Sequence, residues 1–261
     1  MGTATIGQII GRVGRYRAVM AFNSRYAFHA LVSLLRPAVI CDVGSCDGTQ
    51  AVRFKRQVRS ARVIAFEANP DNAARIAARP DVRHLGIDLR PMAVSDAEGT
   101  VTFFVLEQRG DLPWSVGASS LNRRAEGEDH GLRQTPVEVQ TTTLDRALSG
   151  TSGSVALWID VEGAAGLVIA GIREIASRVC AIHIETEEDL VQIWDCQSST
   201  GSVVQALGLL GFRVLGSDQD WPGQRNIVLV RADGSRLNRV AVAAAVRLAV
   251  IYTVLRPVRA A

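Results

Sequence analysis

The stretch VICDVGSCDG, residues 39–48, is a short apolar run that ends at an aspartate and leads into two glycines set four apart. A run of this kind is typical of a strand buried on both faces of a parallel sheet. Similar runs follow along the chain: VIAF (63–66), VALWI (155–159) and CAIHI (180–184). Helices are predicted between the runs, at 48–58, 70–78 and 164–176. This alternation of strand and helix predicts a doubly wound, mostly parallel α/β sheet.

Three other parts of the chain complete the predicted fold. Residues 84–94 resemble a further strand, which Pro91 restricts to an edge of the sheet because proline cannot donate to a ladder. Within 98–142, two stretches of alternating pattern, GTVTFFVL and PVEVQTTT, flank a polar loop and predict an antiparallel insertion. A helix near 200–210 precedes FRVLG and NIVLVRA, which predict two closing strands.

Length and composition indicate a single globular domain with elaborations. The 261 residues are 48% hydrophobic, which argues against disordered and fibrous classes. The sequence opens without a signal-peptide pattern, so we expect a cytoplasmic protein. The four cysteines, at 41, 46, 180 and 196, lack metal-binding or disulfide spacing, and we expect them to be reduced.

Positive charge is concentrated at the two ends of the chain. Residues 1–36 carry five arginines and no acid, and residues 234–261 carry another five with no acid. Removing these ten charges from the net charge of +3 leaves −7 for residues 37–233. An acidic body argues against a nucleic-acid enzyme, whose cleft must neutralise phosphates.

The basic ends are predicted to be helical. Residues 6–35 place apolar side chains at helical spacing between arginines, and 240–255 are apolar apart from Arg247. Spanning a bilayer takes about 20 apolar residues, far more than the tail offers. These helices suit either peripheral contact with an anionic membrane or packing against each other or a second subunit of a homo-oligomer. The predicted division is 1–36, 37–233 and 234–261.

Acidic side chains are concentrated where the predicted strands end, which is where open α/β sheets bind ligands. The polar residues at these ends are Asp42, Glu67, Ser95, Asp96, Asp160, Glu162 and Glu185. A dinucleotide site would show Gly-x-Gly-x-x-Gly and hold a pyrophosphate. Here Asp42 and Asp47 flank the glycines and would repel a pyrophosphate, so a cationic ligand is favoured.

S-adenosyl-L-methionine meets this electrostatic requirement because it carries a sulfonium and an ammonium group. Glu67 follows Asp42 by 25 residues, close to the spacing at which an acid after the second strand accepts ribose hydroxyls. The turn from Gly44 to Gly48 lets the backbone approach a ligand without an intervening Cβ. We therefore expect S-adenosyl-L-methionine as the cofactor.

Across about residues 38–230 the chain resembles the FkbM-type family of S-adenosylmethionine-dependent methyltransferases. The matching stretches are DVGSCDG (42–48), AFEANP (65–70), AVSDAEGTVTF (93–103), ASSL (118–121), TTLD (142–145), IDVEGA (159–164) and AGI (170–172). The resemblance implies a seven-stranded class I methyltransferase sheet with a β insertion. It also implies methylation of a hydroxyl on a sugar or natural product.

The resemblance implies roles for individual residues. Asp42, Gly44 and Gly48 would line the methionine end of the cofactor, Glu67 would hold the ribose, and Ser95 and Asp96 would lie near the adenine. Asp160 and Glu162 would face the transferred methyl and the acceptor. The complete expected cofactor set is Asp42, Gly44, Ser45, Gly48, Glu67, Ala68, Ser95, Asp96 and Asp160.

A sugar hydroxyl needs a base to remove its proton, and four side chains near two strand ends are candidates. In order of preference they are Asp160, Glu162, His183 and Glu185. Three alternatives stay open: His183 as a buried structural histidine, Asp160 or Glu162 as a helix cap, and the acids as ligands of a divalent cation. In the preferred interpretation these acids are bases, and no residue is assigned as a metal ligand.

Ser119 and Ser120 are the predicted acceptor-binding residues, on a lid formed by the insertion; a solvated serine-rich loop is the alternative. Two positions depart from the family pattern: Cys46, in the glycine turn, and Ala165, where an acid usually follows EGA. The second departure keeps a non-catalytic, cofactor-binding relative in view.

The sequence therefore predicts an O-methyltransferase acting on a saccharide, glycolipid or glycosylated natural product, with a small-molecule or glycan acceptor. The alternatives are the non-catalytic relative and a dinucleotide-dependent oxidoreductase. We expect a cytoplasmic protein, with membrane association through the basic ends as an open possibility.

Overall fold

The computed structural model describes residues 22–219, 221–232 and 236–255. Its strands are β1 (Val39–Val43), β2 (Arg62–Phe66), β3 (Asp88–Arg90), β4 (Ala93–Val94), β5 (Gly99–Leu106), β6 (Gln134–Thr142), β7 (Val155–Ile159), β8 (Val179–Glu187), β9 (Phe212–Asp218) and β10 (Gln224–Arg231). Its α-helices are α1 (Ser24–Leu35), α2 (Thr49–Gln57), α3 (Pro70–Ala78), α4 (Pro80–His84), α5 (Leu144–Leu148), α6 (Ala165–Ala170), α7 (Thr200–Leu209) and α8 (Arg236–Leu255).

Seven strands form the central sheet in the order β3-β2-β1-β7-β8-β10-β9. The pairs from β3 to β8 are parallel, and β10 runs antiparallel to both β8 and β9. The doubly wound, mostly parallel sheet is therefore confirmed, and β3 lies at its edge. Strand order reverses between β1 and β7, so the ligand crevice is expected beyond their carboxyl ends.

Two apolar layers bury the faces of this sheet. All five residues of β1 and all five of β7 are buried, which explains their continuous apolar runs. One layer contains Leu144 and Leu148 of α5 with residues of α6 and α7. The other contains Phe28 and Leu31 of α1 with Phe54 of α2. Helices on both faces hold the strand ends rigidly at the crevice.

The insertion forms a second sheet, with strand order β4-β6-β5. The strands β5 and β6 pair antiparallel, as predicted, and β4 pairs parallel with β6. The intervening loop packs against the segment that follows β8, because Leu106, Ala118 and Leu132 share a buried cluster with Ile193 and Trp194. The insertion thus forms one wall of the crevice.

The described terminal helices pack onto the main sheet. Val242 and Ala245 of α8 share the buried cluster that contains Ala27 and Phe28 of α1 and the β10 residue Val228. The predicted helical segment before residue 22 lies outside the described residues, as does 256–261. Among the described helices, none has the length and apolar character needed to cross a bilayer. The predicted helix at 164–176 ends early, at Ala170, where Gly171 follows.

Candidate active site

The glycine turn after β1 brings the ends of three strands together. The amides of Gly44 and Ser45 donate to the carbonyl oxygen of Phe66 at the end of β2. Gly44 has a φ of +83°, and a Cβ there would lie 1.8 Å from the carbonyl oxygen of Asp160. The amide of Asp160 donates in turn to the carbonyl oxygen of Val43. Glycine is required because the ends of β1 and β7 touch through the backbone at this point.

Asp42 stabilises the turn from below. Its carboxylate is buried and accepts hydrogen bonds from the Ser45 hydroxyl at 2.7 Å and from the Ala51 amide at 3.0 Å. Burial raises the pKa of Asp42 to about 7. Asp47 is engaged as well, accepting from the amide and hydroxyl of Thr49 at the start of α2. Both aspartates therefore hold the loop itself, which corrects the expectation that their charges face the ligand.

Glu67 stands at the carboxyl end of β2 and is 5% exposed. Its carboxylate accepts from the amide of Cys46 at 2.6 Å and from the amide of Asn69 at 2.8 Å. Burial raises the pKa of Glu67 to about 7, and the two amides favour its charged form. Cys46 has a φ of +55°, which turns its amide toward Glu67. The conformation of this residue, rather than its thiol, ties the glycine turn to the acid.

An inner pocket lies beyond the ends of β1, β2 and β7. Of the expected cofactor set, Gly44, Glu67, Ala68 and Asp160 line it. Asp42, Ser45, Gly48, Ser95 and Asp96 are not among its lining residues. The apolar walls, which the sequence did not reveal, are Val43, Phe66, Met92, Ala93, Val94, Phe103, Leu121, Val161 and Ala164. The pocket therefore combines the carboxylate of Glu67, which could accept hydrogen bonds from ribose hydroxyls, with a wide apolar surface.

Ser95 and Asp96 miss the pocket because the chain leaves the crevice just before them. The Ser95 amide donates to the carbonyl oxygen of Thr142, so this segment joins the second sheet. The Ser95 hydroxyl bonds the carboxylate of Asp96, which is exposed. The preceding residues, 92–94, line the pocket in their place. A role for Ser95 and Asp96 near the adenine therefore stays a prediction from the sequence.

A wider outer cavity of about 620 Å³ adjoins the inner pocket, and Asp160 lines both. A cavity of this size is within the usual range for small-molecule sites. Its polar lining includes Arg25, Arg124, Glu162, Glu185, Gln224 and Asn226. Its aromatic lining is Trp158 at the base and Trp221, which is 56% exposed, at the mouth. Acids, amides and aromatic rings together suit a polyhydroxylated ligand.

Three of the four candidate bases meet in this cavity. Carboxylate oxygens of Asp160, Glu162 and Glu185 lie within 4.8 Å of one another. The side-chain amide of Gln224 donates to Glu185 at 2.8 Å and to Glu162 at 3.2 Å. Burial first, and then the charge of Asp160, raises the pKa of Glu162.

The comparisons with known proteins agree with this geometry. Residues 42–214 match the family model described as Methyltransferase FkbM domain, which covers more than half of the chain. The chain belongs to the FkbM methyltransferase family. The 2-O-methyltransferase NoeI of Sinorhizobium fredii is 32% identical over 163 residues, which are 59% of this chain and 66% of that protein. The matched part is thus slightly under two thirds of NoeI.

Solved structures with a similar fold include two whose titles name methyl transfer or its product. The bifunctional kinase-methyltransferase WbdD has a TM-score of 0.45 and 10% identity, covering 82% of this chain and 39% of that chain. The N-terminal domain of EvdMO1 with SAH bound has a TM-score of 0.43 and 13% identity, covering 88% and 89%. Because both TM-scores are below 0.5, the family assignment rests on the sequence matches.

S-adenosylmethionine is the cofactor of this FkbM domain, and the inner pocket fits it in three respects. Gly44 leaves no space for a Cβ, so its backbone forms a cradle directly beside Asp160. Glu67 adds a buried carboxylate for ribose hydroxyls, and the apolar walls suit an adenine ring.

His183 lies behind the outer cavity rather than in its lining. Its ring stacks on Trp158 with centroids 3.6 Å apart, and its Nε2 atom and the Ser24 hydroxyl are 3.1 Å apart. Burial lowers the pKa of His183 well below its usual value, which favours the neutral ring. The FkbM domain therefore uses this histidine to support Trp158, which matches the open alternative of a structural histidine.

Both serines of the predicted lid make hydrogen bonds within the walls of the crevice. The Ser119 hydroxyl accepts from the amide of Leu106 at 3.1 Å, and Ser119 lines the inner pocket. Ser120 is 1% exposed, and its hydroxyl donates to the carbonyl oxygen of Glu162. Ser120 thus fixes the loop that carries Asp160 and Glu162, and neither serine lines the outer cavity.

Proposed function

We propose that this protein is an O-methyltransferase that methylates a hydroxyl group of a saccharide, glycolipid or glycosylated natural product. The observation that carries the proposal is the position of Asp160, which lines both the inner pocket and the outer cavity. An acceptor in the outer cavity would meet the cofactor's reactive end at this residue. NoeI is a 2-O-methyltransferase, which supports the choice of oxygen as the acceptor atom.

The outer cavity supports a sugar as the acceptor. Trp221 offers an exposed ring at the mouth, and Gln224 and Asn226 offer amide groups further in. Aromatic faces pack against the apolar face of a sugar ring, while amides and carboxylates bind its hydroxyls. The carboxylates of Asp160, Glu162 and Glu185 make the cavity unfavourable for a phosphate-rich polymer.

Bound S-adenosylmethionine supplies a methyl group on a positively charged sulfur. Gly44, Glu67 and the apolar walls hold the cofactor, and Trp221 with Gln224 orients the acceptor, so much of the rate comes from alignment. Asp160 accepts the hydroxyl proton as the oxygen bonds to carbon. The cofactor would supply the methyl group with the carbon–sulfur electron pair remaining on sulfur, so that S-adenosylhomocysteine would be the second product.

The non-catalytic alternative draws little support from Ala165. This residue is 1% exposed, begins α6 and packs in the core. The acid that is absent at 165 leaves three carboxylates in the outer cavity, at Asp160, Glu162 and Glu185. The missing acid therefore does not remove the chemistry that proton transfer needs.

A turnover assay tests the proposal. Transfer of radiolabelled methyl from S-adenosylmethionine is measured over a panel of methyl hexosides, alkyl glycosides and oligosaccharides. We expect transfer to at least one acceptor and its loss in Asp160→Ala. Calorimetry with S-adenosylhomocysteine runs in parallel, because tight binding without transfer to any acceptor would favour the non-catalytic relative. Binding of NAD instead would favour the oxidoreductase.

We further propose peripheral membrane contact through α8. Its exposed face combines Val240 and Leu248, which are 65% and 53% exposed, with Arg247. Apolar residues beside arginine suit anionic headgroups. Co-sedimentation with vesicles containing anionic lipid should weaken at high salt, and an absence of binding at every salt concentration would contradict the proposal. The division of the chain into two terminal helical segments, 1–36 and 234–261, around a methyltransferase domain at 37–233 is likewise proposed.

A further inference from the structure

The acids of the outer cavity have the arrangement of a ligand set for a cation. Asp160 and Glu162 follow β7, and Glu185 lies near the end of the adjacent strand β8. One carboxylate oxygen from each comes within 4.8 Å of the others. Oxygen ligands of this type bind hard divalent cations such as Mg²⁺, Ca²⁺ and Mn²⁺.

A fourth acid beside this set provides an independent observation. Glu187 lies two residues after Glu185 on the same face of β8 and is 0% exposed. Among the described residues, neither of its carboxylate oxygens makes a hydrogen bond of normal geometry. Strand alternation directs its side chain to the same side as that of Glu185, which lines the outer cavity. A buried, unsatisfied carboxylate needs a compensating positive charge.

The neighbouring arginine, Arg124, makes contacts in the cavity wall. The guanidinium of Arg124 favours the charged form of Glu162. It lies over the ring of Trp194, 4.5 Å from the centroid, and donates to the carbonyl oxygen of Glu128. This contact holds Arg124 in the wall that the insertion forms. A small cation inside the cavity could contact all three acids of the set at once.

We propose that Asp160, Glu162 and Glu185 bind one divalent cation of the Mg²⁺, Ca²⁺ or Mn²⁺ class, with Glu187 behind them adding negative charge. Three protein oxygens leave coordination positions for hydroxyl groups of the acceptor and for water. A hydroxyl bound to the cation has a lowered pKa and a fixed direction toward the inner pocket. Its proton passes to the Asp160 oxygen that does not bind the cation, and the oxygen then takes the methyl group.

The role in methyl transfer rests on the proposed function, whereas binding of the cation is tested without it. Tag-free, chelator-treated protein is titrated by calorimetry with MgCl₂, CaCl₂ and MnCl₂. We expect one site per chain and a higher melting temperature with the bound ion. Asp160→Asn and Glu185→Gln should weaken binding by at least about tenfold, and Glu187→Gln by about tenfold. Glu174→Gln, which changes an exposed acid outside the cavity, is the matched control and should bind as wild type.

Folding of each variant is checked by circular dichroism and by its melting temperature without added cation. A titration that shows no binding of any of the three ions would overturn the proposal, as would equal binding by wild type, Asp160→Asn and Glu185→Gln. Methyl transfer that keeps its full rate in excess chelator would overturn the catalytic role alone. Cation binding with no methyl transfer to any acceptor would instead support the site and contradict the proposed function.

Discussion

Replacing Gly44 by alanine tests whether the inner pocket depends on the direct contact between the ends of β1 and β7. The substitution places a Cβ 1.8 Å from the carbonyl oxygen of Asp160 while the backbone holds a φ of +83°. Gly86 provides a matched control, since its φ is +64° and a Cβ there meets nothing within 4 Å. The difference between the two variants isolates the backbone overlap.

The left-handed conformation costs an alanine about 1–2 kcal/mol. Gly86→Ala should lose about that much free energy of unfolding. Gly44→Ala should lose the same amount and about 1–3 kcal/mol more, because the strand ends must separate to relieve the overlap. The expected total for Gly44→Ala is therefore about 2–5 kcal/mol.

Urea unfolding, followed by circular dichroism, measures both losses, and calorimetry with S-adenosylhomocysteine measures the pocket. We expect Gly44→Ala to bind at least about tenfold more weakly, which corresponds to about 1.4 kcal/mol, and Gly86→Ala to bind as wild type. If the two variants lose equal stability and bind alike, the contact between the strand ends does not shape the pocket.

Three further predictions follow from the site. Glu67→Gln should weaken S-adenosylhomocysteine binding by about tenfold, whereas Asp96→Asn, outside the pocket, should leave calorimetric affinity unchanged. Burial raises the pKa of Asp42 and Glu67 to about 7 from ordinary values of 3.8 and 4.5, so between these values the folded state keeps protons that the unfolded state has lost. The melting temperature of chelator-treated protein should therefore fall from about pH 4.5 to 7 and level off above that, and a rise over this range would contradict the prediction. Trp221→Ala should raise the acceptor KM and spare cofactor affinity; an unchanged KM would exclude stacking.

Much of the fold could be predicted from local pattern because strands buried on both faces are apolar throughout. VICDV, VIAF and VALWI are confirmed as central or near-central strands. The single strand predicted at 84–94 was wrong: Pro91 lies between β3, at the edge of the main sheet, and β4, in the second sheet. The helix after IDVEGA was predicted too long, since its apolar pattern continues beyond Gly171 while the backbone does not. Whether β4 joins the main or the second sheet depends on its pairing with β6, which is a contact between distant residues.

The site was predictable where function depends on a strand end and obscure where it depends on distant loops. Gly44, Glu67 and Asp160 line the inner pocket, because strand ends meet in any sheet of this order. Arg25 and Trp221 line the outer cavity from opposite ends of the chain, and no local pattern connects them. The aromatic residue in the WPG turn before β10 was the available signal.

The acids also show why position in sequence does not fix a role. The aspartates of the glycine turn satisfy their own loop, whereas the carboxylates of Asp160, Glu162 and Glu185 meet in the outer cavity. Spacing alone could not separate the two groups. Their hydrogen-bond partners do.

Methyl transfer by Asp160→Asn, compared with wild type, tests the central claim most directly. The measured quantity is the rate of labelled methyl incorporation into the best acceptor of the glycoside panel, at saturating S-adenosylmethionine. The position of Asp160 between the two cavities predicts a fall of at least about a hundredfold, the usual range for loss of a general base. A variant that folds, binds S-adenosylhomocysteine and transfers methyl at the wild-type rate would contradict the claim.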